Sequence, residues 1–246
     1  MSIADKLTTI AENVPKVYEA GKQAGTDEFW GAYQGYGNRA DCRYMFSGTY
    51  WNSYTFKPQH NICPIDGSYM FYVCGYNADL AQVLDDLGVS LDLSRCTAYN
   101  SMFCLSKFTR LPKILDKFTS NAINLFNGCT NLATIDEIEL EKDITNDSHY
   151  RDAFKDCTAL ENIRFTGEGK LAANISFESC TKLTKESLIS INNALSPTVI
   201  GKAVTYSKAA VNAAFGVDVD SETGGQENPE FLAWLSERPD WGRYYV

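Results

Sequence analysis

Hydrophobic positions recur along this chain in a pattern longer than a helical or strand period. Residues 125–132, 153–160 and 176–183 align without gaps on Phe-x-x-Cys-Thr-x-Leu. The shared positions are Phe126, Cys129 and Leu132, then Phe154, Cys157 and Leu160, then Phe177, Cys180 and Leu183. In the first two copies an isoleucine, Ile135 or Ile163, follows three residues after the leucine. Looser copies precede them. One holds Phe71 and Cys74; another holds Phe103, with Ser106 in the cysteine position and Phe108, Leu111 and Ile114 set one position early; the weakest centres on Phe46. The six phenylalanines are separated by 25, 32, 23, 28 and 23 residues. A period of this length predicts stacked supersecondary units, each too small to bury its own apolar face. Phe, Cys and Leu would form inward ladders, cysteine acting as a small hydrophobe. The piece before each cysteine reads as a turn of helix. The piece after each leucine reads as a strand, since Ile163 and Phe165 alternate with polar residues, and such strands would pair in parallel.

The flanks follow other periods. Ile3, Leu7, Ile10, Val14 and Val17 lie on an a/d heptad seam, with Ser2 and Asp5 placed to cap it and Pro15 interrupting it. The seam has two readings: a coiled coil that makes a homo-oligomer through residues 3–17, or an amphipathic helix folded over the end of the array. After the last copy, Leu188, Ile191 and Leu195 share a helical face over 186–195. A strand over 199–206 follows, then a helix capped by Ser207 and stopped by Gly216. An acidic, glycine-rich loop over 218–229 leads to a helix from Pro229 or Glu230 to Glu237, and 243–246 reads as a closing strand. Capping the array is the expected role of 186–246, because an open rung exposes apolar surface and a bare sheet edge.

The pattern resembles the leucine-rich repeats of the BspA-like type, well over residues 120–185 and more loosely over 40–120. It departs from them in that Leu111-Pro112 is the sole trace of the proline that usually follows the strand. The opening residues and the tail, with Phe231, Trp234 and Trp241, are similar to uncharacterised proteins encoded in prophages of Firmicutes. The resemblance implies an α/β fold: a leucine-rich-repeat solenoid of about six irregular repeats over 38–185, a helical N-terminal segment over 1–37 and a mixed α/β C-terminal cap over 186–246. It implies a non-enzymatic binding or structural role, as a prophage tail or baseplate accessory contacting protein or carbohydrate on the host envelope. A surface or secreted adhesin of the BspA-like type is the alternative, and a thiol-dependent hydrolase a remote one.

Charge narrows the partners. Lys and Arg number 22 against 31 Asp and Glu, a net charge of −9, which disfavours nucleic acid and anionic membranes. No apolar run approaches the length of a membrane span, and the first residues lack the apolar stretch of a signal peptide, so synthesis in the cytoplasm is expected, with a virion or extracellular destination. The eight cysteines include no Cys-x2-4-Cys pair, so neither metal nor cofactor is expected. A nucleophile pair of His60 and Cys63 lacks an orienting third group, so no catalytic residue is assigned. His149 is expected in a solvent-exposed loop. The run from Asp136 to Asp143 is expected to be a strand with one wet acidic face. Gly167 and Gly169 are expected to turn the chain between rungs.

One feature goes beyond the repeat. Fourteen of the chain's 31 aromatic residues fall within the 48 residues from Phe29 to Tyr76. Tyr50, Trp51, Tyr54, Tyr72 and Tyr76 lie off the ladder, and each joins an apolar body to a polar tip. They are the candidate binding surface, the competing reading being that they fill uneven rungs.

Overall fold

A computed structural model describes residues 42–44, 46–48, 62–88, 90–116 and 122–246. The segment 1–37 with its heptad seam, and Tyr50, Trp51, Tyr54 and His60, lie outside them. The described residues are mixed α/β with small parallel sheets.

The six phenylalanines form one column. Ring centroids of Phe46, Phe71, Phe103, Phe126, Phe154 and Phe177 follow one another at 5.3, 5.1, 5.8, 5.5 and 4.5 Å, and all six are buried. The column continues past the last Phe-x-x-Cys copy, to Tyr206 at 6.4 Å and then to Trp234 at 5.3 Å. Each such contact adds about 0.5–1.5 kcal/mol beyond the area it buries.

The backbone that carries the first five rings is not a turn of helix. Positive φ occurs two residues before and two residues after each phenylalanine: Tyr44 and Gly48, Tyr69 and Val73, Ser101 and Leu105, Asn124 and Gly128, Asp152 and Asp156. Left-handed residues turn alternate peptide planes, and the amides divide into two sets. Around Phe71, Phe103 and Phe126 the amides at the column residue and two to either side donate to the next rung, as in Ser101 N to Ile123 O (2.9 Å), Phe103 N to Leu125 O (3.0 Å) and Leu105 N to Asn127 O (2.7 Å). The amides between them donate back within their own rung, as in Met102 N to Tyr99 O and Cys104 N to Ser101 O. A continuous helix would have directed every amide into its own rung.

The cysteines acquire a reason from this geometry. The thiol of Cys129 donates to Phe103 O at 2.9 Å and that of Cys157 to Phe126 O at 3.1 Å, each one rung back. Cys180 stands 3.7 Å from Phe154 O, while Cys74 donates within its own rung to Phe71 O at 2.9 Å. Ser106, in the same position, is buried against Cys129 Sγ at 3.4 Å. The position takes a small side chain with a weak donor. Leu132, Leu160 and Leu183 are buried beside the column.

A second side of each rung is a parallel sheet. β1 (Arg110–Leu111) and β2 (Ile114–Asp116) pair with β3 (Thr134–Leu140), which pairs with β4 (Asn162–Thr166). Leu111, Ile114, Ile135, Ile138, Leu140, Ile163 and Phe165 turn inward. An irregularity between Ile135 and Ile138 gives β3 one residue more than β4 over the same span, so Asp136 and Glu137 both face out. The outer edge of β4 is covered by a helix, Lys185–Ala194. Ser187 Oγ accepts from Ile163 N at 3.0 Å and Ser190 Oγ from Phe165 N at 2.9 Å, so two hydroxyls one helical turn apart satisfy the strand's outward amides.

Numbered in chain order, the helices are α1 (Leu80–Leu87), α2 (Lys185–Ala194), α3 (Lys208–Phe215) and α4 (Pro229–Ser236). Asp79 caps α1 through Gln82 N, and Gly88 ends it in the left-handed region. Ser207 stands at the N-cap of α3 but makes no side-chain cap bond; Asn228 caps α4 through Glu230 N and Phe231 N. The parallel pairing does not stop at 185. β5 (Ile175–Phe177), β6 (Ala203–Tyr206) and β7 (Gly242–Tyr245) form a second parallel sheet in which Phe177, Tyr206 and Tyr245 share one register position. Gly167 and Gly169 lie where loops touch: a Cβ would come within 2.3 Å of Leu140 O or Lys142 O.

Candidate binding site

Most left-handed positions place their side chains on the outside of the turn stack, Ser101 being buried. The row two residues before the column runs Tyr44, Tyr69, Ser101, Asn124, Asp152, so it is aromatic at one end and polar at the other. Tyr44 and Tyr69 stack at 4.9 Å with ring planes 9° apart, and Tyr72 meets Tyr69 edge-on at 5.9 Å. The row two residues after adds Val73 and Leu105, and Tyr76 follows at the rung's end. Tyr44 is 56% exposed, Tyr76 45%, Leu105 40% and Val73 38%. Exposed apolar side chains and phenolic tips thus gather at the aromatic end of the turn stack, around half-buried Tyr69 and Tyr72. Of the expected binding residues, Tyr72 and Tyr76 belong to it. Tyr44, Tyr69, Val73 and Leu105 were not anticipated, because their exposure follows from the left-handed backbone.

The outer sheet face differs from its expectation. Asp136 is held by Arg110 through two bonds of 2.7 and 2.9 Å, and Glu137 lies 3.0 Å from Lys113 and also contacts Arg164 and Thr166. Lys113 also reaches Glu139. The acidic run is therefore a cross-strand network of both signs, because neighbouring rungs supply cations at the facing positions. Burial works against the Glu137 carboxyl, and Lys113 with Thr166 outweighs it, holding it below the ordinary carboxylate value.

His149 is not a solvent-exposed loop residue. It is fully buried, and its Nε2 lies 2.7 Å from Asp116 Oδ2. Tyr99 donates to Asp116 Oδ1 at 2.5 Å, and Tyr150 donates to Oδ2. Tyr99 and Tyr150 stand four residues before Phe103 and Phe154, and small, buried Ala122 holds the same position before Phe126. Burial disfavours the charged carboxylate, yet the hydrogen bond and charge of His149, with the two phenols, hold Asp116 below its ordinary value.

The thiols lie in surroundings that keep them protonated. No disulfide joins any of the eight cysteines. Burial pushes Cys96 up to about 11 and Cys129 and Cys180 up to about 12, and raises Cys74 and Cys157 as well. Half-buried Cys63 is raised first by burial and then by Asp92, whose carboxylate lies 3.8 Å from the thiol, the reverse of what activates a nucleophile. Among the described residues no group of three His, Cys, Asp or Glu side chains converges as a metal site, and no helix is long and apolar enough to cross a membrane.

The chain matches no protein-family profile, no curated protein and no solved structure.

Proposed function

We propose that the chain is a non-catalytic binding protein, built as a solenoid of leucine-rich-repeat type, whose tyrosine-rich turn face contacts protein or carbohydrate on a host envelope. The observation that carries the reading is the ring cluster of exposed Tyr44 with half-buried Tyr69 and Tyr72, followed in sequence by exposed Tyr76, on a column of stacked rings. Tyrosine gives large amphipathic contact area at small rotamer cost, and here it rests on a buried scaffold. The repeat reading is supported by the recurrence of one backbone geometry at five rungs and by parallel pairing between rungs. A prophage tail or baseplate setting is the context that the flanks suggest.

Cosedimentation with purified cell-wall sacculi from a Firmicutes strain tests the proposal. The full chain should pellet with the sacculi, and a variant carrying Tyr44→Ala, Tyr69→Ala and Tyr76→Ala should stay in the supernatant with an unchanged circular dichroism spectrum. A chain that never pellets, or a triple variant that pellets equally, overturns the assignment.

A further inference from the structure

Two sheet edges in this molecule are finished differently. The outward amides of β4, Ile163 N and Phe165 N, are taken by hydroxyls of α2. β7 is the edge of the second sheet and pairs with β6 alone. Gly242 N donates to Lys202 O at 2.9 Å and Val246 N to Tyr206 O at 3.0 Å, so alternate residues from Gly242 turn their amides toward β6. The N–H and C=O groups of Arg243 and Tyr245 therefore point away from the sheet, and among the described residues neither amide has an acceptor. Edges of this kind are ordinarily blunted by lysine, proline or a bulge, and β7 has none of them. Its outer face, continued by Val246, is Gly242, Tyr244 and Val246, without a charge. Tyr244 is 61% and Val246 65% exposed. The strand's one charge, Arg243, is turned the other way, donating to Asn192 Oδ1 at 3.0 Å and Arg238 O at 3.1 Å with its guanidinium over the Trp234 ring.

Outward N–H and C=O groups in a row are satisfied by an extended strand, and this row matches its own copy. Arg243 and Tyr245 are separated by one residue, so a twofold axis can pass at Tyr244. In an antiparallel pair about that axis, Arg243 of each copy lies opposite Tyr245 of the other, and each such pair exchanges both N–H···O bonds. Tyr244 then meets its own copy as the close, non-hydrogen-bonded pair, with Cα atoms about 4.5 Å apart. Aromatic rings face each other there, and no like charges are brought together. An unrelated strand could use the same N–H and C=O groups, but a second copy supplies the register and the uncharged face by symmetry. We infer that β7 pairs antiparallel with β7 of a second copy, joining the two β5-β6-β7 sheets into one continuous sheet. This interface is separate from the tyrosine-rich turn face and from the heptad seam of residues 3–17, and depends on neither.

Sedimentation velocity of the full chain from about 5 to about 200 μM tests it, since so short a strand buries little surface and sets a dimer in the micromolar range. Mass should double with concentration. Tyr244→Lys sets like charges across the axis and should raise the dissociation constant about tenfold, with an unchanged circular dichroism spectrum, while Tyr244→Phe should keep the dimer. A larger assembly built through residues 3–17 would still lose half its mass in Tyr244→Lys. Mild oxidation reports the register: Tyr244→Cys should cross-link two copies, its Cα separation being within disulfide reach. Val246→Cys, about 13 Å along the strand from its own copy, should not. A full chain that stays monomeric throughout, a mass that Tyr244→Lys leaves unchanged, or equal cross-linking at 244 and 246 overturns the inference.

Discussion

Two stretches of this molecule carry the same aromatic column on different backbones. From Phe46 to Phe154 the rings ride on turns with left-handed residues at both shoulders. From Phe177 to Tyr206 they ride on β5 and β6, ordinary parallel strands. The ring spacing marks the change: it stays between 5.1 and 5.8 Å on the turns, shortens to 4.5 Å at the junction and widens to 6.4 Å between Phe177 and Tyr206. The column is nonetheless continuous across both backbones. Where Asn, Asp, Ser or Gly stand at the shoulders, the turn forms at little cost. Around Phe177 the shoulders are Ile175 and Ser179, and a β-branched residue favours the strand.

The sharpest way to break the comparison is at the junction. Phe154→Ala removes the ring between the two regimes and should cost about 3–5 kcal/mol in urea unfolding. A cost under about 1 kcal/mol would deny the column its organising role. Next in size is the carboxylate inside the turn region. Asp116→Asn should cost about 3 kcal/mol at neutral pH by breaking a buried pair. Because the folded Asp116 sits below its ordinary value, its contribution is complete above about pH 4 and drains as pH falls through the lowered value. The stability gap between wild type and variant should therefore be constant above about pH 4 and narrow as the pH is lowered further.

Smaller effects separate the two backbones. The double variant Ser187→Ala, Ser190→Ala strips the caps from the β4 edge and should cost about 1–3 kcal/mol, with faster amide exchange at Ile163 and Phe165. Tyr206→Phe removes a buried hydroxyl that has no hydrogen-bond partner, and should leave stability unchanged or raise it by about 1 kcal/mol. Val73→Gly tests the turn regime alone: Val73 is β-branched at φ 53°, and relief of about 1 kcal/mol is expected in the melting curve, less the packing it gives up.

Much of the column could be read from the chain because Phe and Cys stand at constant offsets, three residues apart. Tyr206 and Trp234 could not, since neither is a phenylalanine with a cysteine three residues on, although Tyr206 lies 29 residues past Phe177, within the range of the other intervals. The turn geometry left a partial signal: Asn124 with Gly128 and Asp152 with Asp156 are residues that tolerate positive φ, but Tyr69 with Val73 and Ser101 with Leu105 conceal it. The placement of His149 depends on a carboxylate 33 residues earlier, which no local pattern records. Helix α1 was not anticipated, although Asp79 at its N-cap and Gly88 at its C-cap are local signals for it. The proposed binding face was only partly readable, because aromatic enrichment marks a region while backbone handedness decides which rings point outward.

The alternating turns have a direction. From Phe46 to Phe126, inter-rung amides of the turns point toward the later rung, whose carbonyls point back, while beyond the turns Lys107 N and Thr109 N donate to Cys74 O and Ala78 O of the earlier rung. Each turn therefore has a donor side and an acceptor side. The intervals of 23 to 32 residues between rings show that the loops vary in length while the turn keeps its orientation. If the proposed repeat reading holds, tandem duplication of the 28 residues from Phe126 to Ala153 would present both sides of the turn correctly.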